Sequence, residues 1–278
     1  LRIVPYQNRD LSVSLRVVAS YNKNTLVEAN RELNITNDDK LPGNAQVEGK
    51  PVGSFYSYPY AGLNESYGFP MFYTDKGERK YELTNEEINL VYSGKTTPDV
   101  SGGFDLSLRY KGWYASLGFQ YAVGGVARLP NFYRVNYYNV FDALANTSKE
   151  LNNRWRKPGD ELHTDIPVLY DNSNYSDAVD ALGGPTTLSI RKTPLEMYDR
   201  SDIRTAKTDN LRMRNLNISY LVRPPVLKKL GMESLSINFQ AENLLLFTDQ
   251  AWQGRDPESG GSNTPLPRVY TFGINAGF

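Results

Sequence analysis

Phe104-Asp105-Leu106-Ser107-Leu108-Arg109-Tyr110-Lys111-Gly112-Trp113-Tyr114-Ala115-Ser116-Leu117-Gly118-Phe119-Gln120-Tyr121 is the stretch that decides the fold class. Apolar and polar side chains alternate strictly on either side of Lys111-Gly112. Successive side chains of a strand point to opposite faces, so Phe104, Leu106, Leu108 and Tyr110 share one face. Asp105, Ser107 and Arg109 share the other. Trp113, Ala115, Leu117, Phe119 and Tyr121 resume the apolar face. The spacing predicts two strands joined by a two-residue hairpin turn at Lys111-Gly112.

Four more segments follow the same rule. Leu11 to Tyr21 places Leu11, Val13, Leu15, Val17, Ala19 and Tyr21 opposite Ser12, Ser14, Arg16, Val18 and Ser20. Leu216, Ile218, Tyr220 and Val222 oppose Asn215, Asn217 and Ser219. Leu235, Ile237, Phe239 and Ala241 oppose Ser236, Asn238, Gln240 and Glu242. Tyr270, Phe272, Ile274, Ala276 and Phe278 oppose Thr271, Gly273, Asn275 and Gly277. Two architectures accommodate such strands: a soluble antiparallel sandwich and a membrane β-barrel. Three features favour the barrel. Aromatics recur near the ends of the apolar rows (Tyr21, Tyr110, Trp113, Tyr121, Tyr270, Phe278), where interfacial girdles sit. Short connections alternate with long ones. The last strand runs to an aromatic, Phe278.

Composition agrees with an all-β chain. Its 278 residues include 20 Tyr, 22 Gly and 16 Pro, a mix suited to strands, turns and long loops. Lys plus Arg balance Asp plus Glu at 31 each, so no basic surplus points to nucleic acid. No cysteine is present, which removes disulfides and thiolate metal sites. No run reaches the roughly 18 apolar residues of a membrane helix, whereas a barrel strand needs only about 9–11. The start at Leu1 has no basic and apolar leader, so any targeting signal is expected outside these residues.

With Phe278 set on the periplasmic side, counting back makes residues 223–233 a periplasmic turn and residues 123–208 and 248–265 external loops. The first of these loops is long enough to be expected to carry structure of its own. Phe141 to Trp155 is predicted as a short amphipathic helix, broken after it by Arg156-Lys157-Pro158-Gly159-Asp160. Another strand is predicted near Val52 to Tyr60.

Several phrases resemble one family. Val47-Glu48-Gly49-Lys50-Pro51-Val52-Gly53-Ser54-Phe55-Tyr56 and Asn153-Arg154-Trp155-Arg156-Lys157-Pro158-Gly159-Asp160 are two. Leu211-Arg212-Met213-Arg214-Asn215-Leu216, Ala241-Glu242-Asn243-Leu244, Asp256-Pro257-Glu258 and the closing Tyr270 to Phe278 are others. In order and spacing they resemble the SusC/RagA-like TonB-dependent transporters of bacterial outer membranes. That resemblance implies that residues 1–278 form the C-terminal part of a 22-stranded antiparallel transmembrane barrel with long extracellular loops. The plug domain and earlier strands would lie outside them. It implies import of oligosaccharides, or oligopeptides, across the outer membrane. The expected partners are the rest of the transporter, a SusD-like lipoprotein, the TonB complex and outer-membrane lipid. Alternatives are a passive porin or adhesin-type barrel and a soluble carbohydrate-binding sandwich.

No catalytic site, cofactor or metal site is expected. A lone histidine, His163, supplies neither a triad nor several metal ligands. The polar row Arg16, Asp105, Arg109, Asn215, Asn217, Asn238, Gln240 and Glu242 is expected to face the barrel interior. For solute contact the candidates are Trp252, Gln253, Arg255, Tyr133 and Trp155, which pair aromatic faces with amide and guanidinium donors. Tyr137 and Tyr138 are weaker candidates of the same kind. Resemblance to outer-membrane assembly signals gives Tyr270, Phe272, Gly273 and Phe278 the role of the segment read by the barrel-assembly machinery.

Overall fold

The computed structural model describes residues 1–29, 35–43, 46–132, 148–169, 194–259 and 264–278. Along the chain come β1 (Arg2–Gln7), β2 (Leu11–Tyr21), β3 (Ser54–Ser57), β4 (Tyr60–Leu63) and β5 (Pro70–Tyr73). Then follow β6 (Arg79–Lys80), β7 (Val91–Lys95), β8 (Val100–Tyr110), β9 (Trp113–Val123) and β10 (Val126–Arg128). The last are β11 (Thr205–Lys207), β12 (Asn210–Leu221), β13 (Ser234–Thr248) and β14 (Val269–Gly277). These residues divide into two units, Leu1–Asn24 with Thr97–Ala127 and Ala206–Phe278, and Thr25–Thr96 with Arg128–Thr205.

The first unit is built on one antiparallel sheet whose seven described strands run in the order β1-β2-β8-β9-β12-β13-β14. The alternating segments of the sequence are its strands. Their registers align the apolar positions into continuous rows. One row is Ile3, Leu15, Leu106, Leu117, Leu216, Ala241 and Tyr270. The next is Tyr6, Val13, Leu108, Ala115, Ile218, Phe239 and Phe272. A slip of one residue in any strand would turn its apolar set to the polar face, so the patterning pins the register.

The apolar face is not a core. Leu106, Leu108, Trp113 and Ile237 are all exposed, and Phe272 and Ile274 are 78% and 72% exposed. A soluble sandwich hides such a face beneath a second sheet, and among the described residues no sheet covers this one. Apolar surface this extensive and contiguous belongs against another apolar medium. The opposite face is polar and internally bonded. Ser14 Oγ lies 2.6 Å from Ser107 Oγ, and Asn217 Nδ2 donates to Ser116 Oγ at 3.3 Å.

Connections alternate as expected. One end of the sheet carries short links: residues 8–10, Lys111-Gly112 and residues 222–233. Lys111 takes a positive φ of 54°, closing the tight turn between Tyr110 and Trp113. At the other end the chain leaves β2, β9 and β13 for residues 22–99, 124–209 and 249–268. Two departures from expectation concern this sheet. The link at 223–233 contains an α-helix, Pro224–Leu230, rather than a bare turn. Pro at its first positions suits a helix start, and Gly231 at φ 68° suits its end. Strand β1 was not expected. Its Pro5 sits in a bulge between Ile3 and Tyr6, where a missing N–H is tolerated.

The second unit gathers the two long insertions around a common apolar core, so the long loop does carry structure of its own. Leu41, Tyr58, Phe69 and Phe72 from one insertion pack with Phe132, Leu151, Leu195, Met197 and Tyr198 from the other. Arg128 ties them further. Its guanidinium donates to Leu41 O at 3.1 Å, to Ser57 Oγ at 3.2 Å and to Tyr56 O. Burial, helped by Arg200, pulls the Arg128 pKa down to about 10. The strand expected near Val52 to Tyr60 forms as β3, paired with β7, and Pro59 separates it from β4. Residues 141–147 of the predicted helix lie outside the described residues. Its remainder is a 3-10 turn, Lys149–Asn153, capped by Ser148 and ended by Arg154 in extended conformation.

Candidate functional site

Seven alternating strands would space polar side chains evenly over the polar face, but β12 breaks that spacing. On the β9 side Met213 pairs with Phe119 and Asn215 with Gly118, leaving Arg214 as an inserted residue. On the β13 side Met213 pairs with Leu245 and Asn215 with Glu242, so Asn243 and Leu244 bulge as well. Asn243 accommodates this at φ 55°. A bulge re-aims side chains. Here it brings Asn215 to the face that Arg212 and Arg214, two residues apart, already share.

Two acids neutralise that pair of guanidiniums. Arg212 Nη2 donates to Asp256 Oδ2 at 2.6 Å, and Arg212 Nε lies 3.2 Å from Glu258 Oε2. Arg214 Nη2 donates to the same Glu258 oxygen at 2.8 Å, and its Nε donates to Gln120 Oε1 at 2.6 Å. Arg212 and Asp256 are each 2% exposed. Charges so buried persist only when paired and hydrogen-bonded. The segment that brings the acids folds back from β13. Asp249 caps the turn Gln250–Trp252 by accepting from Ala251 N, and Gln253 at φ 51° reverses the chain.

The candidate contact residues fare differently. Trp252 is 1% exposed, and its indole N–H donates to Lys207 O at 2.7 Å. Its ring is therefore committed to packing and offers no open face for stacking. Gln253 beside it is exposed and Arg255 half-buried. Trp155 is also buried, with its indole N–H on Glu161 Oε2 at 3.1 Å. Tyr133, Tyr137 and Tyr138 lie outside the described residues. His163 is exposed and closes the 3-10 turn Asp160–Leu162. Tyr270, Phe272 and Phe278 are exposed on or just after β14, with Gly273 between them on the strand.

The polar row is aligned across the strands, with Arg16 opposite Asp105, Asp105 opposite Gly118, and Asn217 opposite Gln240. Gly118 leaves room there, because a Cβ at that position would stand 1.9 Å from Asn215 Oδ1. Arg212 and Arg214 are missing from the expected row. Their signal was present as a phase slip: apolar positions are odd through Met213 and even from Leu216.

No protein-family model matches the chain. TonB-dependent receptor P3 of Formosa agariphila is 27% identical to it over 98% of this chain and 27% of the relative. TonB-dependent receptor P39 of the same organism is 24% identical over 70% of this chain and 16% of the relative. The chain thus spans about a quarter or less of the length of these curated relatives. In fold it matches a chain of the RagAB peptide importer in its open-open state, with a TM-score of 0.68 and 23% identity. A chain of the closed-closed state gives 0.69 and 22%, and both matches cover 100% of this chain and 28% of the other. The chain is thus similar in sequence to TonB-dependent receptors and in fold to a chain of the RagAB peptide importer.

Proposed function

We propose that this chain is the C-terminal part of a 22-stranded outer-membrane barrel that imports oligosaccharides, or oligopeptides, by TonB-dependent transport. The carrying observation is the seven-stranded sheet, whose uncovered apolar face and bonded polar face are aligned in register across every strand. Lipid would cover the first face, while the second would line the interior against a plug and the solute path. No helix among the described residues is long and apolar enough to cross a membrane, a fact that leaves strands as the crossing elements in this reading. β1 and β14 each pair on one side only among the described residues. Unpaired backbone groups in hydrocarbon cost several kcal/mol each, so both edges need further strands of the same transporter.

The long connections would then face outward, beneath a SusD-like lipoprotein. Gln253 and Arg255 are the residues proposed for solute contact there. Tyr270, Phe272, Gly273 and Phe278 are proposed as the barrel-assembly signal. The solved fold neighbours are named as a peptide importer, which keeps oligopeptide beside oligosaccharide as solute. The protein would make no covalent bond, since energy would arrive mechanically through the plug.

The test is detergent extraction of outer membranes, with mass determination of everything that copurifies with these residues. A plug-bearing polypeptide and a lipoprotein are the expected companions, and solute uptake should stop when TonB is removed. Recovery as a lone water-soluble protein would overturn the membrane reading. Uptake indifferent to TonB would point instead to a passive barrel.

A further inference from the structure

We propose that residues Asp249–Ser259 form a strap that is latched onto the polar face of β12 by Arg212 and Arg214 and lifts as one piece when that latch is broken. The latch is read from this chain; that it borders a solute path rests on the proposed function.

The strap has its own internal order. Asp249 caps its first turn, and Arg255 N donates to Trp252 O at 2.9 Å. Asp256 Oδ1 then accepts from Glu258 N at 3.0 Å, and Asp256 O accepts from Ser259 Oγ at 2.7 Å. Such a segment moves as a body because its backbone groups are satisfied within it.

Its hold on the sheet joins the buried packing of Trp252 to an ionic latch. The Trp252 indole donates to Lys207 O, and Asp256 and Glu258 bond to the two guanidiniums of the bulge. A buried ion pair differs from apolar packing in how it fails. Its net contribution is small while both partners are dry, yet loss of either partner leaves a buried charge that only water can satisfy. Water reaches Arg212 and Asp256 only if the strap lifts. Arg212 and Arg214, two residues apart on one face of β12, share the two carboxylates.

The test is hydrogen–deuterium exchange on the purified full transporter in detergent, comparing wild type with Arg212→Gln, Asp256→Asn and the double variant. Peptides covering residues 249–259 should exchange roughly tenfold or more faster in each single variant. The double variant should be no looser than the singles, and β9 and β14 should be unchanged. Unchanged strap exchange would overturn the proposal, and so would loosening spread evenly through β12 and β13. If the buried variants do not assemble, Glu258→Gln at the more exposed outer pair replaces them, with about threefold faster strap exchange expected. No acceleration there overturns the latch. Exchange reads the strap whether or not the protein imports solute, so a failure of TonB-dependent uptake and a failure of the latch are seen separately.

Discussion

Tyr121 lies across Gly102. The two are direct partners on β9 and β8, and a Cβ on Gly102 would stand 2.7 Å from the Tyr121 hydroxyl and 2.1 Å from the Val18 carbonyl oxygen. The tyrosine can swing away, but the carbonyl belongs to the backbone of β2. Gly102→Ala should therefore push β2 off β8 and cost about 1–3 kcal/mol. Folded fractions read by heat-modifiable gel mobility should fall for Gly102→Ala relative to wild type. Mobility equal to wild type would mean that the glycine is not required by this close approach.

The apolar rows make a second prediction. Leu108 and Ile237 lie on the exposed apolar face, and Thr271 lies on the polar one. Arginine at Leu108 or Ile237 should impair insertion, at a cost of up to roughly 2–4 kcal/mol depending on depth in the bilayer. Thr271→Arg should be tolerated. The check is the amount of each variant recovered folded from outer membranes. Normal assembly of Leu108→Arg and Ile237→Arg would show that the lipid face is wrongly assigned.

How much of this was legible in the sequence depends on the range of the interactions. Strand β2 is readable to both ends, Leu11 and Tyr21, because a half-exposed strand writes its faces into every second residue. β1 is not, since Pro5 masks a strand that accommodates it at a bulge. Pro224-Pro225 reads equally as a turn or as a helix start, and the helix forms. The candidate site was the least legible. Trp252 and Arg255 look alike as loop residues, and only folding sends the indole to Lys207. The Arg212–Asp256 pair joins residues 44 apart, and no local pattern announces it. The phase slip at Arg214 was the one visible trace.

Glu87 gives a prediction for pH. Its carboxylate accepts from Lys80 Nζ and, through its other oxygen, from Thr84 N at 3.0 Å. These bonds, Lys80 first, hold its pKa down to about 2. A depressed carboxylate adds stability above its ordinary pKa and loses it as pH falls through the lowered value, so the contribution here fades from about pH 4.5 to about 2. The pair is partly exposed and screened by salt, so its effect on stability is small. The direct check is the carboxyl carbon resonance of Glu87, identified by difference against Glu87→Gln. Its midpoint should sit near 2 and move toward the ordinary glutamate range in Lys80→Gln. A midpoint unmoved by Lys80→Gln would show that Lys80 is not its main partner.

The contact between Gly68 and Trp155 carries the last prediction, for the unit built from the two insertions. Gly68 takes a φ of 68°, and a Cβ there would fall 2.4 Å from the indole ring atoms of Trp155. The indole has little freedom to yield, since its N–H is held by Glu161 and its backbone N donates to Ile166 O at 2.9 Å. Val168 N also donates to Gly68 O at 3.2 Å, which fixes the glycine from the other side. Gly68→Ala should thus cost about 1–3 kcal/mol for the overlap, with roughly 1 kcal/mol more for the left-handed backbone. That cost falls where the two insertions meet, while the sheet strands keep their own bonds. Trypsin should then cut the intact, membrane-inserted protein faster at the Arg156-Lys157 bond, with heat-modifiable mobility retained. Adding Trp155→Ala to Gly68→Ala should cost less than the two single effects combined, because the overlap vanishes with the ring. Strictly additive effects would mean that the ring and the glycine are not in contact.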